Sequence, residues 1–381
     1  MKIGLPAPDG TLVPYAMGEP RIHPPPGAPS VSRVAYAAAH VVADPDGDPP
    51  GSSLDWDATL AFRRHLWSYG LGVAEAMDTA QRGMGLDWAT TRSLIERSGG
   101  EARAVGGRIV CGAGTDHLPP GPVSLGAIAA AYEEQLAVVE SAGAVPVLMA
   151  SRHLAAAARG PDDYAAVYGR LLAQVERPVV LHWLGPMFDP ALDGYWGSAD
   201  PGTAAGALLA LIEEHAPRID GVKISLLDAE REIAFRNRLP SGVRLYTGDD
   251  FNYPELIRGD ADGHSDALLG VFDPIAPAAA AALRALDDGD TASYEEILAP
   301  TVPLARHLFE APTYYYKTGV VFLAWLTGRQ RHFRMVGGLE NARPVPHMVR
   351  LFQLADAAGL FPDPGLAARR MSAWLTVQGA A

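Results

Sequence analysis

The feature that most constrains the fold of this 381-residue chain is the alternation of short apolar runs with segments of helical periodicity. Eight runs follow one another: VAYAAAHVV (34–42), GVAEAMD (72–78), RIVCGAG (108–114), AVPVLMAS (144–151), PVVLHWL (178–184), DGVKISLL (220–227), VRLYTGDD (243–250) and DGHSDALLGV (262–271). Each precedes a segment with helical spacing of apolar residues. Strict alternation predicts a parallel sheet, and eight units predict a closed TIM (β/α)8 barrel, with an open doubly wound sheet as the alternative.

Composition divides the chain into three predicted regions. Residues 1–32 are rich in proline and glycine, which predicts an N-terminal arm and no core element. Residues 33–290 hold the eight repeating units and form the predicted barrel. Residues 291–381 have helical patterns and predict a C-terminal helical region. No G-x-G-x-x-G or Walker A loop follows an early strand, which argues against nucleotide binding.

Charge and cysteine content restrict the partners and the compartment. The formal net charge of −13 repels phosphate backbones and anionic lipid, so neither nucleic acid nor a membrane is an expected partner. The single Cys111 cannot form an internal disulfide, which fits a reducing cytosol. The N-terminus lacks the apolar run of a signal peptide. We therefore expect a cytoplasmic protein.

Lysine is scarce in this sequence and one lysine has an unusual setting. Of the 31 basic residues, only Lys2, Lys223 and Lys317 are lysines. Lys223 lies inside the apolar run GVKISLL, so side-chain alternation along a strand directs it into the barrel. A buried ammonium is costly unless it is paired or deprotonated, and a deprotonated amine is what Schiff-base chemistry requires. The alternative is a buried ion pair with an acid such as Asp249.

A second inward polar residue is predicted on the preceding strand. His182 lies within VLHWL, and adjacent parallel strands are about 4.8 Å apart. His182 and Lys223 could therefore flank one ligand, with the histidine moving protons. The alternative is a satisfied core histidine.

Polar residues also end the other apolar runs, where a TIM barrel has its active site. These rim candidates include Asp116, His117, Arg152 and Asp250. The residues predicted to bind substrate are His40, Asp78, Thr79, His153, Asp249, His264 and Asp266. Strand ends also meet solvent, so each of these residues has an ordinary structural explanation.

Several segments resemble the dihydrodipicolinate synthase and N-acetylneuraminate lyase superfamily of class I Schiff-base aldolases. The resemblance covers roughly residues 33–360 and rests on IDGVKISLLDAERE, RLYTGDDFNYPELIRGDADGHSDALLGVFDPIAP, RIVCGAGTDHL and YYYKTGVVFLAWLTG. It implies that Lys223 is the imine lysine and that the protein is a homo-oligomer. Lys317 falls where the family often has a helical lysine, so it does not imply a second nucleophile.

Departures from the family indicate a divergent branch. The Thr-Thr pair that holds a keto-acid carboxylate in the family is Asp78-Thr79 here. The catalytic tyrosine of the fifth strand is replaced by His182, and an arginine a few residues later by Met187. The imine lysine is kept while the acid-binding residues are lost, so we do not expect dihydrodipicolinate synthesis.

The sequence thus predicts a lyase, aldolase or dehydratase that acts on a sugar-derived keto compound. Lys223 would form the imine, His182 would move protons, and no metal or organic cofactor would be needed. One alternative is a metal-dependent hydrolase or isomerase that binds a divalent ion at the rim. Its ligands would come from His40, His117, His153, His182, His264, Asp78, Asp249 and Asp266. Another alternative is a non-catalytic sugar-binding barrel.

Overall fold

The computed structural model describes residues 1–7, 9–47 and 51–380. Its strands are β1 (Lys2–Pro6), β2 (Leu12–Ala16), β3 (Ala35–Ala38), β4 (Gly72–Glu75), β5 (Ile109–Ala113), β6 (Val145–Leu148), β7 (Val179–Leu184), β8 (Ile219–Ser225), β9 (Arg244–Thr247) and β10 (Asp266–Leu269). Strands β3 to β10 pair in parallel in chain order, and β10 pairs with β3. The sheet therefore closes, and the predicted TIM barrel is confirmed over the open sheet.

The helices complete the alternation and fill the C-terminal region. They are α1 (Trp56–Ser68), α2 (Trp88–Val105), α3 (Leu125–Ser141), α4 (Arg152–Ala157), α5 (Pro161–Leu172), α6 (Pro201–His215), α7 (Ala229–Arg236), α8 (Tyr253–Arg258), α9 (Ala276–Asp287), α10 (Thr291–Leu298), α11 (Thr301–Leu308), α12 (Tyr316–Leu326), α13 (Val345–Ala357) and α14 (Pro364–Val377). Aspartate or serine begins many of them. Asp200, for example, accepts the N–H of Thr203 at 2.7 Å and so caps α6.

The chain forms two compact units that are discontinuous in sequence. The barrel unit contains Val31–Ala39 and Leu71–Gly270, which includes all eight barrel strands. The terminal unit contains Met1–Ser30, His40–Gly70 and the chain from Val271 onward. The boundaries of these units differ from those predicted at residues 32 and 290. The division of the chain into three regions stays a prediction. No helix among the described residues is long and apolar enough to cross a membrane.

The first residues contain an antiparallel hairpin that composition did not predict. Strand β1 pairs with β2, from Lys2 opposite Ala16 to Pro6 opposite Leu12. Ile3 and Leu5 are buried, so β1 contributes to the core of the terminal unit. The expectation of an arm without a core element is corrected here. Two apolar side chains, spaced two residues apart on one strand, face the core although the segment as a whole is rich in proline and glycine.

Large and small side chains share the inside of the barrel. Its buried cluster is Tyr36, Ala38, Ala74, Met77, Val110, Val147, Met149, Val180, Tyr246 and Leu268. Tyr36 lies over Gly72, where a Cβ would be 2.3 Å from the tyrosine ring. Bulky residues on some strands therefore require small residues on their neighbours, and the interior is a packed core.

Candidate active site

Lys223 lies on β8 with its side chain inside the barrel. Its Cα is in register with His182 on β7 and with Tyr246 on β9. Tyr246 belongs to the interior cluster, and residues in register on parallel neighbours point to the same side of a sheet. Lys223 is 8% exposed. The inward orientation predicted from alternation is confirmed.

The amine of Lys223 lacks a direct partner. No group of the described residues forms a hydrogen bond or an ion pair with its Nζ. Burial lowers the pKa of Lys223, while the negative charges of Asp78 and Asp250 act in the opposite direction. The neutral form of the amine is therefore more populated here than on an ordinary lysine. A neutral amine has the lone pair needed to attack a carbonyl carbon.

Lys317, on α12 of the terminal unit, provides a contrast. Its Nζ donates a hydrogen bond to the carbonyl oxygen of Tyr314 at 2.9 Å and lies 4.8 Å from the ring centre of Tyr316. These contacts are those of an ordinary structural ammonium group. They fit the expectation that Lys317 is not a second nucleophile.

His182 is fully buried beside Lys223. Its Nε2 lies 3.3 Å from the hydroxyl of Ser225, and its Nδ1 has no partner among the described residues. Burial, together with the charge of Lys223, lowers the pKa of His182 well below its usual value. The ring is therefore a neutral imidazole, in which one nitrogen donates a hydrogen bond and the other accepts one.

Ser225 is a neighbour of the lysine that sequence reasoning missed. A Cβ on Gly248 would lie 2.2 Å from the Ser225 Oγ and 2.8 Å from the Lys223 Cε, so both atoms crowd the same point. The signal in the sequence is the spacing K-x-S, because residues two apart on a strand share a face. The Ser225 hydroxyl thus lies close both to the imidazole and to the carbon that carries the lysine amine.

A cleft of about 590 Å³ opens beyond the C-terminal ends of β4, β5, β6 and β7. Four rim residues predicted from sequence line it: Asp78, Asp116, Arg152 and His153. Arg82, Thr115, Ser151 and Asp189 also line it and were missed. Asp78 contributes to this cleft and acts electrostatically on Lys223, so the cleft is the natural approach for a substrate.

Arg82 organises one side of this cleft. It is buried and donates to both carboxylate oxygens of Asp116, at 3.0 and 2.6 Å. It also donates to the carbonyl oxygen of Gly112 at 2.6 Å and to the side chain of Gln135. Despite burial, which raises it, the charge of Arg82 holds the pKa of Asp116 at about 2. Asp116 is therefore a charged structural partner rather than a free ligand.

Hydroxyl groups and a histidine also line the cleft. The Thr115 Oγ1 lies 2.6 Å from the Ser151 Oγ and 3.3 Å from the His153 Nδ1. The backbone N–H of Ser151 donates to the hydroxyl of Tyr195 at 3.0 Å. Arg152 forms an ion pair with Asp189. The cleft thus offers hydroxyl, imidazole and guanidinium groups, which suit a polar ligand.

Thr79 and Asp249 lie near this region, but one is buried and the other forms hydrogen bonds within a turn. Thr79 is buried in a short 3-10 helix, Asp78–Ala80. Asp249 accepts the N–H groups of Phe251 and Asn252 at 2.9 and 3.0 Å and so fixes the turn before α8. Asp250, rather than Asp249, acts on Lys223. Alternation could not distinguish these two residues because β9 ends at Thr247.

The predicted rim positions of His264 and Asp266 are wrong. Strand β10 begins at Asp266, so both residues lie at its N-terminal end, opposite the end of the barrel where the cleft opens. Asp266 accepts the N–H of Val34 at 2.7 Å and pairs with Arg244 at 3.2 Å, and these contacts join the starts of three strands. The apolar run begins at residue 262, but the strand itself starts four residues later.

His40 follows the end of β3 but offers no free ring nitrogen. Its Nδ1 lies 2.8 Å from a carboxylate oxygen of Asp273, and its Nε2 lies 3.1 Å from the Oε1 of Gln330. The residue is buried and belongs to the terminal unit. These contacts give it a structural role, and they do not support its predicted contact with substrate.

The histidines and acids predicted for a rim metal site do not converge. His117 contacts Gln135 and Glu134, and His153 contacts Thr115 and the carbonyl oxygen of Pro119. Among the described residues, the group whose donor atoms lie close enough to hold a metal is His307, Glu310 and His347. None of these three residues was among the rim candidates.

Several solved structures with similar folds are dihydrodipicolinate synthases. Dihydrodipicolinate synthase from Aquifex aeolicus matches with 14% identity and a TM-score of 0.65, covering 86% of this chain and 99% of that one. The Thermotoga maritima enzyme matches with 15% identity, a TM-score of 0.65 and the same coverage. The chloride-inhibited Acinetobacter baumannii enzyme, complexed with pyruvate, has 15% identity, a TM-score of 0.63 and coverage of 87% and 100%. The resemblance found in the sequence is thus confirmed at the level of the fold.

Sequence comparison adds a family assignment. The model of a family described as "Protein of unknown function (DUF993)" matches residues 3–380. No curated protein matches the chain.

Proposed function

We propose that this chain, which belongs to the DUF993 family, is a class I aldolase-type lyase that forms an imine between Lys223 and a keto substrate. The observation that carries the proposal is the setting of the Lys223 amine: it is buried, without a hydrogen bond from the described residues, and with a lowered pKa. The same lysine is the residue implied by the resemblance to Schiff-base aldolases, whose fold the chain shares.

The proposed chemistry begins with the neutral amine. Its lone pair attacks the carbonyl carbon, the nitrogen gives up one proton, and the carbonyl oxygen takes up a proton from solvent to give a carbinolamine. Loss of the hydroxyl group as water then leaves an iminium, whose positive nitrogen withdraws the electron pair of the bond that breaks next. We propose that this machinery needs neither a metal nor an organic cofactor, because the iminium itself accepts the electrons.

His182 and Ser225 are the proposed proton carriers. A neutral imidazole can take the proton that the attacking amine releases and return it to the departing hydroxyl. The Ser225 hydroxyl contacts His182 at 3.3 Å and lies beside the lysine stem. It can therefore pass a proton between the ring and the reacting centre without movement of the imidazole.

The proposed substrate is a hydroxylated, sugar-derived ketone rather than a simple keto acid. Asp78 would repel a carboxylate at the position where the related family has threonine. The cleft instead presents carboxylate, hydroxyl and imidazole groups from Asp78, Thr115, Ser151 and His153, which bond well to hydroxyl groups. A cytoplasmic homo-oligomer remains part of the proposal.

Reductive trapping tests the proposal directly. The protein is incubated with a panel of hydroxylated ketones and keto acids together with borohydride, and the modified peptide is identified by mass spectrometry. We expect an adduct at Lys223 that is absent from the Lys223→Arg variant, because a guanidinium does not form an imine. The exposed Lys2→Arg variant is the control and should trap normally. No adduct at Lys223 across the panel, or equal trapping in the Lys223→Arg variant, would contradict the proposal.

A further inference from the structure

A second group of chemically competent side chains lies in the terminal unit. His307 is on α11, Glu310 follows the end of that helix, and His347 is in the first turn of α13. The Glu310 carboxylate lies between the rings: one oxygen is 2.9 Å from the His347 Nδ1 and the other is 3.2 Å from the His307 Nδ1. One potential ligand atom from each residue lies within 4.8 Å of the other two.

The hydrogen-bond pattern places two accepting atoms, one on His307 and one on Glu310, against each other. The His307 Nε2 lies 2.9 Å from the backbone carbonyl oxygen of His347, and a carbonyl can only accept. The proton of a neutral His307 ring is therefore on Nε2, and its Nδ1 carries a lone pair. That lone pair faces a carboxylate, which also only accepts. The two groups attract each other only if a proton or a metal ion lies between them.

The other two groups also face the point where an ion would lie. The His347 ring is buried, and its Nδ1 lies 2.9 Å from the Glu310 Oε1. The Glu310 side chain is 48% exposed, which gives an ion access.

Arg343 holds the segment that carries the carboxylate. Its guanidinium donates to the carbonyl oxygens of Glu310 and Pro312, at 2.7 and 3.1 Å. These contacts fix the backbone where the chain leaves α11. The guanidinium also repels a nearby cation, so an ion at this site would have to be held by direct bonds to nitrogen and oxygen.

We propose that His307, Glu310 and His347 bind a divalent metal ion of the zinc class, with water completing the coordination. Two imidazoles and a carboxylate are a preferred ligand set for such ions. Metal–ligand bonds of about 2.0–2.2 Å place tetrahedral ligand atoms about 3.4 Å apart, and one donor atom from each of the three residues already lies within 4.8 Å of the other two. The ion would link α11 to α13. This site is independent of the imine chemistry proposed for Lys223.

Zinc titration of the full chain tests this site. The protein is freed of metal with a chelator and titrated with zinc chloride by calorimetry, and its thermal unfolding is followed with and without zinc. We expect one equivalent of zinc to bind and raise the melting temperature. Glu310→Gln should weaken binding by about tenfold or more. His215→Gln is the matched control, since His215 has a neighbouring glutamate, Glu214, at 3.9 Å but belongs to no three-donor group among the described residues.

Cobalt(II) supplies a second measurement that does not depend on a variant. A wild-type protein that binds cobalt through these donors shows visible d–d bands that one equivalent of zinc abolishes. The proposal is overturned if the wild type binds no zinc, or if Glu310→Gln binds zinc as tightly as the wild type. It is also overturned if zinc leaves the melting temperature unchanged, because an ion that links α11 to α13 in the folded chain alone must stabilise that chain.

Discussion

Replacing Gly248 by alanine tests the crowded packing around the candidate lysine. The added Cβ would lie 2.2 Å from the Ser225 Oγ and 2.8 Å from both the Lys223 Cε and the carbonyl oxygen of Ile224. Side chains can shift, but this carbonyl already accepts the N–H of Gly248 at 2.7 Å. The Ile224 contact can be relieved only by moving two strands apart. Overpacking of this kind costs about 1–3 kcal/mol of unfolding free energy.

The same substitution should harm imine formation more than stability. Because the Cβ pushes on the Lys223 stem, the amine is displaced from its position, and a misplacement of about 1 Å typically costs about 100-fold in rate. Urea unfolding measures the loss of unfolding free energy, and the rate of borohydride trapping at Lys223 measures the loss of imine formation. Both measurements are made on the same protein preparation.

A glycine in open space provides the matched control. Gly206 lies on α6, and a Cβ added there would meet no neighbouring atom of the described residues within 4 Å, so alanine has room. Gly206→Ala should stabilise the protein by about 0.5–1 kcal/mol and leave trapping unchanged. If Gly248→Ala unfolds at the wild-type urea concentration and traps at the wild-type rate, the packing argument around Lys223 is refuted.

Three further predictions concern charge. Because the pKa of Lys223 is lowered, trapping should reach half its maximal rate below the ordinary lysine value of 10.5, and a pH–rate profile centred at or above that value would contradict this. Burial raises the pKa of Glu232 to about 8, so the folded state holds a proton that the unfolded state loses above about pH 4.5. The unfolding free energy should therefore fall by about 1.4 kcal/mol per pH unit within that window, and Glu232→Gln should flatten the dependence; equal slopes for both proteins would refute it. Arg82→Met leaves Asp116 without its cation and should lower the unfolding free energy in urea by about 3 kcal/mol. Arg152→Met removes a half-exposed ion pair and should lower it by less than about 1 kcal/mol. Similar losses in the two variants would contradict the structural role assigned to Arg82.

The parts of the site that sequence predicted are those set by local periodicity. Side-chain alternation in GVKISLL was enough to place Lys223 inside the barrel, since residues one apart on a strand must point to opposite faces. His182 followed from the same rule on the neighbouring strand. The structure adds that the two residues are in register on the adjacent strands β7 and β8.

The failures came from strand boundaries and from contacts distant in sequence. His264 and Asp266 lie in an apolar run, but a strand starts where its backbone bonds to neighbours, and no residue pattern marks that point. Asp249 and Asp250 follow the end of β9, where alternation no longer applies. Arg82 was missed because its partner Asp116 is 34 residues away.

The sequence alone determined the barrel, because eight alternating units can bury their apolar strands on both faces only in a parallel sheet. It also determined which lysine is buried inside that barrel. The tertiary structure decided which polar residues meet: Ser225 beside His182, Asp250 rather than Asp249 acting on Lys223, and two histidines 40 residues apart stacked at 4.1 Å around Glu310. Periodicity acts over one turn or one strand, whereas these contacts depend on how separate elements pack, and only the folded chain specifies that.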